Sequence, residues 1–164
     1  MKVDAMACWL LKTEPDTFSL SDLAARPAQP EPWDGVRNYQ ARNFLRDGMH
    51  TGDEVFIYHS SCALPAIVGI AEVASEARPD PSQFDPLSDY YDPRSDPANP
   101  RWVLRDIHYQ RHLRRPLPLA ELRQHAAALT GFALLERNRL SVMPVASEHR
   151  SLILQLSEHR DARV

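Results

Sequence analysis

Residues 54–73 read EVFIYHSSCALPAIVGIAEV and contain two runs of apolar and β-branched residues, 54–58 and 65–73, separated by a short polar loop. Two such runs on either side of a short loop are typical of a β-hairpin. We therefore predict a hairpin at the centre of the fold. The residues His59, Ser60, Ser61 and Cys62 are expected at its tip.

On the N-terminal side of this hairpin, the sequence predicts one strand and one helix. The apolar run 5–11 is followed by Pro15, and a short apolar run that ends near a proline indicates a buried strand. In residues 38–47, Ala41, Phe44 and Leu45 recur at helical spacing. Asn38 is a suitable N-cap and Gly48 a suitable C-terminal stop for that helix.

On the C-terminal side, strand and helix patterns alternate over short distances. We expect a strand over 101–115, a helix over 119–129, a short helix after Gly131 ending near Asn138, a strand over 140–144 and a helix from Ser147. The chain has 164 residues, 43% of them hydrophobic, which suits one well-buried core and is short for two. We therefore predict a single α+β domain over 1–164.

Residues 78–100 form the longest segment without a helix or strand pattern. The segment is rich in proline and aspartate, and Tyr90 and Tyr91 lie near its middle. A connection of this length within a small domain is uncommon and is often functional. We expect an ordered loop or a lid.

Composition and motifs exclude several classes of function. The formal charge of -3 excludes a general polycation that holds nucleic acid by phosphate neutralisation alone. The phosphate-loop, dinucleotide-binding, α/β-hydrolase and zincin motifs are missing from the sequence. His108 and His112 have metal-ligand spacing, but neither cysteine is near them in sequence. We predict no catalytic residues, no cofactor and no metal.

The same features bear on the cellular location. Cys8 and Cys62 form neither a C-x-x-C motif nor a dense disulfide framework, which indicates a reduced compartment. No stretch reaches the 18 or more apolar residues that a membrane span requires, and no secretory signal pattern is found. We expect a monomer in the bacterial cytoplasm, or in a soluble reduced compartment of a eukaryote.

Polar-tipped aromatic residues are concentrated in loops and at strand ends. They are Trp33, Tyr39, Tyr58, Tyr90, Tyr91 and Trp102. A flipped or single-stranded base needs flat apolar walls, and stacking on them contributes roughly 1–3 kcal/mol per base. Trp33 and the Tyr90-Tyr91 pair, all on proline-rich segments, suit such a pocket. Alternatively, each tryptophan is an anchor of the core.

Positive charge is concentrated in one predicted strand. Arg101, Arg105 and Arg111 are spaced by four and six residues, so a regular strand would project all three to one face. Such a row suits contacts to phosphates. Alternatively, the acidic loop before it lies on this strand and pairs with it.

Lys12, Thr13 and Glu14 directly follow the first strand. A lysine beside a carboxylate at a strand end suits contact with a base edge or acid-base chemistry. Alternatively, Lys12 and Glu14 form a solvated pair. Alternation along a strand predicts that Thr13 points to the face opposite the other two.

Six motifs in order make the sequence resemble the EVE domain family. They are WLLKTEP (9–15), WDGVRNYQARN (33–43), VFIYHS (55–60), VGIAEV (68–73), YDP (91–93) and LSVMPV (140–145). The resemblance implies a PUA-like fold, a curved mixed β-barrel with flanking helices, and kinship with YTH domains, which hold a methylated base between aromatic side chains.

By that kinship, Lys12, Thr13, Trp33 and a residue of the Tyr90-Tyr91 pair would surround a base. Asn38, Tyr58, His59 and Ser60 lie in family motifs and are candidates for contacts to its polar edge. The long loop holds no tryptophan, where the YTH cage has one, so a tyrosine would have to take that place.

These observations lead to three alternative functions. The first is a non-catalytic module that binds a modified cytosine or adenine of DNA or RNA, or a modified nucleoside. The second is an amidohydrolase of a modified nucleoside, as in the related ASCH domains, which the predicted position of Thr13 disfavours. The third is a protein-interaction module.

Overall fold

The computed structural model describes residues 7–26, 28–137 and 139–158. The strands are β1 Cys8–Thr13, β2 Glu31–Pro32, β3 Glu54–His59, β4 Ala66–Val73, β5 Arg78–Pro79, β6 Val103–Leu104, β7 Asp106–Pro118 and β8 Val142–Val145. The helices are α1 Leu20–Ala24, α2 Tyr39–Asn43, α3 Leu119–Gln124, α4 Ala133–Glu136 and α5 Ser147–Glu158. The predictions that fall on residues 5–6 and Asn138 lie outside the described residues.

The predicted central hairpin is confirmed. β3 and β4 pair antiparallel, and the main sheet has the order β2-β7-β4-β3-β1-β8. Since β1 runs parallel to β3 and the other pairs are antiparallel, the sheet is mixed. Register shifts interrupt the β4–β7 pairing around Val68 and after Ile70, and such bulges increase the local twist. The sheet curls into a half-barrel, which confirms the predicted α+β fold with a curved mixed sheet.

Strands β1 and β3 are neighbours in the sheet and lie deep in the core. Leu10, Leu11, Phe56 and Ile57 are fully buried, although neighbouring residues of a strand face opposite sides of the sheet. Both faces of β1 and β3 are therefore covered, which explains why these strands are continuous apolar runs in the sequence.

The helix predicted for 38–47 is present and begins and ends where expected. The Asn38 side chain accepts a hydrogen bond from the Ala41 N–H, and a π-helical turn, Phe44–Gly48, follows α2. A Cβ atom on Gly48 would lie 2.7 Å from the Trp9 ring. Glycine is therefore required because the helix end packs directly on a core tryptophan.

The 78–100 loop is ordered by its own polar residues. The Asp85, Asp92 and Asp96 carboxylates each accept a backbone N–H two residues further along the chain. Gln83 is fully buried. Its side-chain amide donates to the Trp102 carbonyl and accepts a hydrogen bond from the Trp102 N–H. The aspartates that make the loop acidic therefore also build its turns.

The predicted strand over 101–115 is divided into two parts. Val103–Leu104 pairs with β5 in a separate two-stranded sheet, and the long strand β7 begins only at Asp106. Arg105 lies between the two strands. Among residues 7–26, 28–137 and 139–158, no helix is long and apolar enough to cross a membrane.

Candidate functional site

A cavity of about 440 Å³ opens where β1 ends. Its wall consists of residues 12–14 and 17–18 at and after the end of β1, residues 31–36 before α2, Tyr90 from the long loop and Ser141 before β8. Four segments that are distant in sequence therefore meet there. Strand β1 brings two of them together, since it is held between β3 and β8.

Trp33 belongs both to the wall of the cavity and to the core. It is 9% exposed, and its backbone N–H donates to the Arg105 carbonyl at 3.0 Å. The ring of Phe18 meets the Trp33 ring edge to face, with centroids 6.0 Å apart and planes at 85°. The wall and core-anchor interpretations of Trp33 are thus compatible, because packing on one side fixes the ring beside the cavity.

Gly35 allows Tyr90 to close over the cavity. Its φ is +81°, and a Cβ atom there would lie 2.7 Å from Cζ of Tyr90. A side chain at this position would collide with the tyrosine ring, and the positive φ favours glycine in any case. The ring of Tyr90 therefore rests directly on the glycine backbone.

A buried carboxylate joins the two loops that carry Trp33 and Tyr90. Asp80 is fully buried and accepts hydrogen bonds from the Gly35 N–H at 2.9 Å and from Arg37 Nη1 at 3.1 Å. Ser82 donates to it from both its backbone N–H and its hydroxyl. Burial acts to raise the pKa of Asp80, but these hydrogen bonds outweigh it and hold the pKa below its usual value. Asp80 is therefore an ionised link between the loops.

The cavity is bordered by both positively and negatively charged side chains. Lys12, Glu14, Glu31 and Asp34 border it. Burial lowers the pKa of Lys12, whereas partial desolvation and the negative charge of Asp80 raise the pKa of Asp34. The cavity therefore offers both a cationic donor and carboxylate acceptors to a ligand.

Lys12, Thr13 and Glu14 all border this cavity, although alternation along β1 predicts that Thr13 points to the face opposite the other two. The Thr13 hydroxyl donates to the Phe18 carbonyl at 2.6 Å. Its proton is engaged in that bond, so toward a ligand the Thr13 oxygen serves as an acceptor.

Several residues predicted for the pocket lie elsewhere. Asn38 caps α2 and does not border the cavity, because its side chain is used by the helix. His59 Nε2 accepts the Leu20 N–H at 3.1 Å and positions α1. Tyr91 is exposed and also lies outside the cavity wall. Tyr58 and Ser60 border a second cavity of about 220 Å³, which shares Lys12 with the first.

The predicted row of phosphate contacts requires a correction at Arg105. Arg105 is 3% exposed and donates to the carbonyls of Leu45, Ser75 and Met49. A guanidinium buried against three carbonyls holds loops together and is not available to a phosphate. Arg111 lies on β7 with about half of its side chain exposed, 3.9 Å from a Glu158 oxygen. Arg101 lies before β6 and is half-buried.

Three residues of the WDGVRN motif had no predicted role in the site, namely Asp34, Gly35 and Arg37. The glycine beside Trp33 was the available signal, since a glycine in a motif often marks a positive φ or a close approach. The contact between Arg37 and Asp80 joins residues 43 positions apart. No local pattern predicts such a pair.

The chain is similar to known proteins over nearly its whole length. The EVE domain family matches residues 7–156. Human thymocyte nuclear protein 1 is 42% identical over 166 residues, covering 92% of this chain and 73% of that protein.

Solved structures show the same similarity. The structure of human THYN1 protein in complex with DNA containing 5-methylcytosine is 40% identical, with a TM-score of 0.91, and covers 94% of this chain and 99% of that one. A Pseudomonas putida protein is 45% identical with a TM-score of 0.86, covering 92% and 99% of the two chains. An ASCH protein from Zymomonas mobilis, 11% identical with a TM-score of 0.57, covers 94% and 99% and shares the fold alone.

Proposed function

The chain belongs to the EVE domain family, and on that basis we propose that it binds a modified base of DNA, extruded into the cavity between Trp33 and Tyr90. The observation that carries this proposal is the similarity, over 94% of the chain, to THYN1 in complex with DNA containing 5-methylcytosine. The first ligand to test is therefore 5-methylcytosine.

The size and walls of the cavity suit one base. Its volume of about 440 Å³ lies within the range of roughly 300–1,000 Å³ that is usual for small-molecule sites. Trp33 and Tyr90 supply aromatic surface, and stacking on such surface contributes roughly 1–3 kcal/mol per base. Because a paired base cannot reach a cavity of this kind, binding requires extrusion from the duplex.

The polar groups of the cavity complement a cytosine. The exocyclic amino group of cytosine is a donor that carboxylates accept, and Asp34 and Glu14 supply carboxylates. The ring nitrogen and carbonyl oxygen of cytosine are acceptors, for which Lys12 is a donor.

The 5-methyl group can be recognised only by apolar contact. Pro32, Phe18 and Val36 supply apolar surface in the cavity wall. Burying one methyl group contributes about 0.8 kcal/mol, which is about fourfold in affinity. We therefore expect a graded preference for 5-methylcytosine over cytosine and no absolute rejection of the unmodified base.

Titration with short fluorescent oligonucleotides tests the proposal. One single-stranded set carries 5-methylcytosine, cytosine or N6-methyladenine at one position, and a second set carries the same bases in a duplex. We expect the tightest binding to single-stranded 5-methylcytosine, because no pairing energy opposes extrusion. Equal binding of all oligonucleotides, or binding that survives when tryptophan and tyrosine walls are both removed, would contradict the proposal.

RNA binding, a cytoplasmic location and a monomeric state are further proposals, of which the cysteine pattern supports the second. RNA oligonucleotides of the same sequences test the first of them. Size-exclusion chromatography with light scattering tests the oligomeric state.

One observation supports the amidohydrolase alternative, namely that Lys12, Thr13 and Glu14 border one cavity. Incubation with N4-acetylcytidine, followed by mass spectrometry of the recovered nucleoside, tests it. Loss of the acetyl group that depends on Lys12 would favour the enzyme. Recovery of intact nucleoside after long incubation excludes hydrolysis of that substrate.

A further inference from the structure

The second cavity, of about 220 Å³, shares one lining residue with the first. Lys12 borders both cavities. A ligand that contacts Lys12 from the first cavity therefore lies next to the second.

The chemistry of the second cavity differs from that of the first. Lys12 and Arg123 contribute positive charge, Ser60 and Ser61 contribute hydroxyl groups, and Leu119 and Leu134 contribute apolar surface. Among the described residues that border it there is no carboxylate. The first cavity, by contrast, contains three carboxylates. An anion is therefore favoured in the second cavity and disfavoured in the first.

Arg123 is available to such an anion. The Arg123 side chain is exposed, and it makes no ion pair with any residue in the part of the chain that the structure describes. Its charge reaches the cavity, since it acts to lower the pKa of Tyr58, although burial and the neighbouring Cys62 outweigh it and raise that pKa.

The backbone around the second cavity is held in place before any ligand binds. The Ser60 N–H donates to the Thr13 carbonyl at 2.9 Å, and the Leu119 N–H donates to the Pro65 carbonyl at 2.8 Å. Ser61 has a φ of +53°, a conformation that is uncommon for residues other than glycine and often occurs at functional sites. The hairpin tip is thus fixed between β1 and α3.

We propose that the second cavity binds the phosphate group adjoining the base that occupies the first cavity, through Lys12, Arg123 and the hydroxyls of Ser60 and Ser61. This inference rests on the proposed function. It assigns charge recognition to the β3–β4 hairpin tip and α3, and base recognition to the loops that carry Trp33 and Tyr90.

Binding of three kinds of ligand tests the assignment. They are the nucleoside 5-methyl-2′-deoxycytidine, its 3′- and 5′-monophosphates, and a short single-stranded oligonucleotide with one 5-methylcytosine. We expect Arg123→Gln to weaken binding of a phosphate-bearing ligand about tenfold, because one charge-assisted contact is lost, and to leave nucleoside binding unchanged. Ser61→Gly, which keeps the positive φ and removes the hydroxyl, should weaken the same ligands by a smaller factor.

Arg46→Gln is the matched control, since it removes the same charge from an exposed arginine that pairs with Asp47 and borders neither cavity. It should leave binding of all ligands unchanged. Melting temperatures of the three variants should match that of the intact protein, which excludes unfolding as the cause. If Arg123→Gln weakens binding of the oligonucleotide alone, the group bound is a phosphodiester of the polymer. If it also weakens binding of one of the monophosphates, a terminal phosphate is sufficient for the contact.

Two results would overturn the inference in distinguishable ways. If the intact protein binds the nucleoside but Arg123→Gln leaves all phosphate-bearing ligands unaffected, the phosphate site is wrong and the proposed function stands. If the intact protein binds neither the nucleoside nor the modified oligonucleotide, the proposed function fails and the phosphate site fails with it.

Discussion

The Arg37 guanidinium donates two hydrogen bonds to the backbone carbonyl oxygen of Tyr90, from Nε at 3.0 Å and from Nη2 at 2.8 Å. It also donates to the Asp80 carboxylate and to the Ser82 hydroxyl. Arg37 itself belongs to the segment that carries Trp33. One side chain therefore fixes the distance between the two aromatic walls of the cavity.

Arg37→Lys should loosen the Tyr90 wall without removing the charge. A lysine cannot reproduce the planar fork of donors, so at least one of the bonds to Tyr90, Asp80 or Ser82 is lost. We expect a loss of roughly 1–3 kcal/mol in the free energy of unfolding and weaker binding of the modified base. Denaturant titration and oligonucleotide binding measure the two effects, with Arg46→Lys as the control at an exposed position. Unchanged base affinity would show that Tyr90 is positioned without Arg37.

Substitution of Arg105 should cost much more stability than substitution of Arg111. Arg105→Met leaves the buried carbonyls of Leu45 and Met49 and the partly buried carbonyl of Ser75 without their donor. At about 1–3 kcal/mol for each buried carbonyl, we expect a total loss of about 3 kcal/mol or more. Arg111→Gln changes an exposed side chain and should alter stability by about 0.5 kcal/mol or less.

The salt dependence of DNA binding separates the two roles further. If Arg111 contacts a phosphate, Arg111→Gln should reduce the slope of log affinity against log salt concentration by about 0.7 for a single strand. Measured at a temperature where it is folded, Arg105→Met should leave that slope unchanged. A reduced slope for Arg105→Met would instead show that Arg105 contacts a phosphate, as the sequence predicts.

The fold was predictable where sequence periodicity and burial agree. The runs that became β3 and β4 are apolar because both faces are covered, and Asn38 and Gly48 delimit the helix through local hydrogen bonding and packing. The predicted continuity of residues 101–105 with the long strand β7 is wrong. Val103–Leu104 forms a strand that pairs with β5, and Arg105, between the two strands, donates to carbonyls distant in sequence, which no local pattern shows.

The candidate site was predictable in its aromatic residues and less so in its polar ones. Trp33 and Tyr90, large aromatic residues on proline-rich segments, both border the cavity. The positions of Asn38 and His59 depend on backbone partners, the Ala41 N–H and the Leu20 N–H. A single sequence does not distinguish a polar side chain that binds backbone from one that binds a ligand.

Asp34→Asn should increase stability and reduce affinity. Partial desolvation and the charge of Asp80 raise the pKa of Asp34, so ionised Asp34 disfavours the folded state at neutral pH. The stability gain from asparagine should be present at pH 7 and shrink as the pH falls through the raised pKa, where Asp34 itself becomes neutral. A neutral acceptor binds the cytosine amino group more weakly than a carboxylate, by about 0.5–2 kcal/mol.

Thermal melts across pH and titration with the modified oligonucleotide measure these two effects. Asp89→Asn, on the long loop and outside the cavity wall, is the control. A loss of stability at pH 7 in Asp34→Asn would show that the ionised carboxylate supports the fold.

His59 should make the fold sensitive to mild acid. Its Nε2 atom accepts the Leu20 N–H, which requires an unprotonated nitrogen, and burial together with the nearby His112 lowers the pKa of His59 below the ordinary 6.5. Stability from this contact is fully present above pH 6.5 and is lost as the pH falls through the lowered pKa. His59→Gln, which keeps an acceptor and removes the titration, should reduce the fall in melting temperature between pH 7 and 5. His50→Gln, at an exposed position, should not.

Trp33→Leu separates the binding role of Trp33 from its packing role. Leucine retains much of the apolar volume that is buried against Phe18, so the stability loss should be smaller than the roughly 3–5 kcal/mol expected for alanine. The aromatic surface is removed completely, so affinity for the modified base should fall by roughly 1–3 kcal/mol. Trp9→Leu is the matched control, because Trp9 is 6% exposed, packs on Gly48 and borders neither cavity. Trp9→Leu should lower the melting temperature and leave base affinity unchanged at a temperature where the variant is folded. If both variants lose affinity only in proportion to their loss of stability, Trp33 is a core residue alone and another group provides the wall.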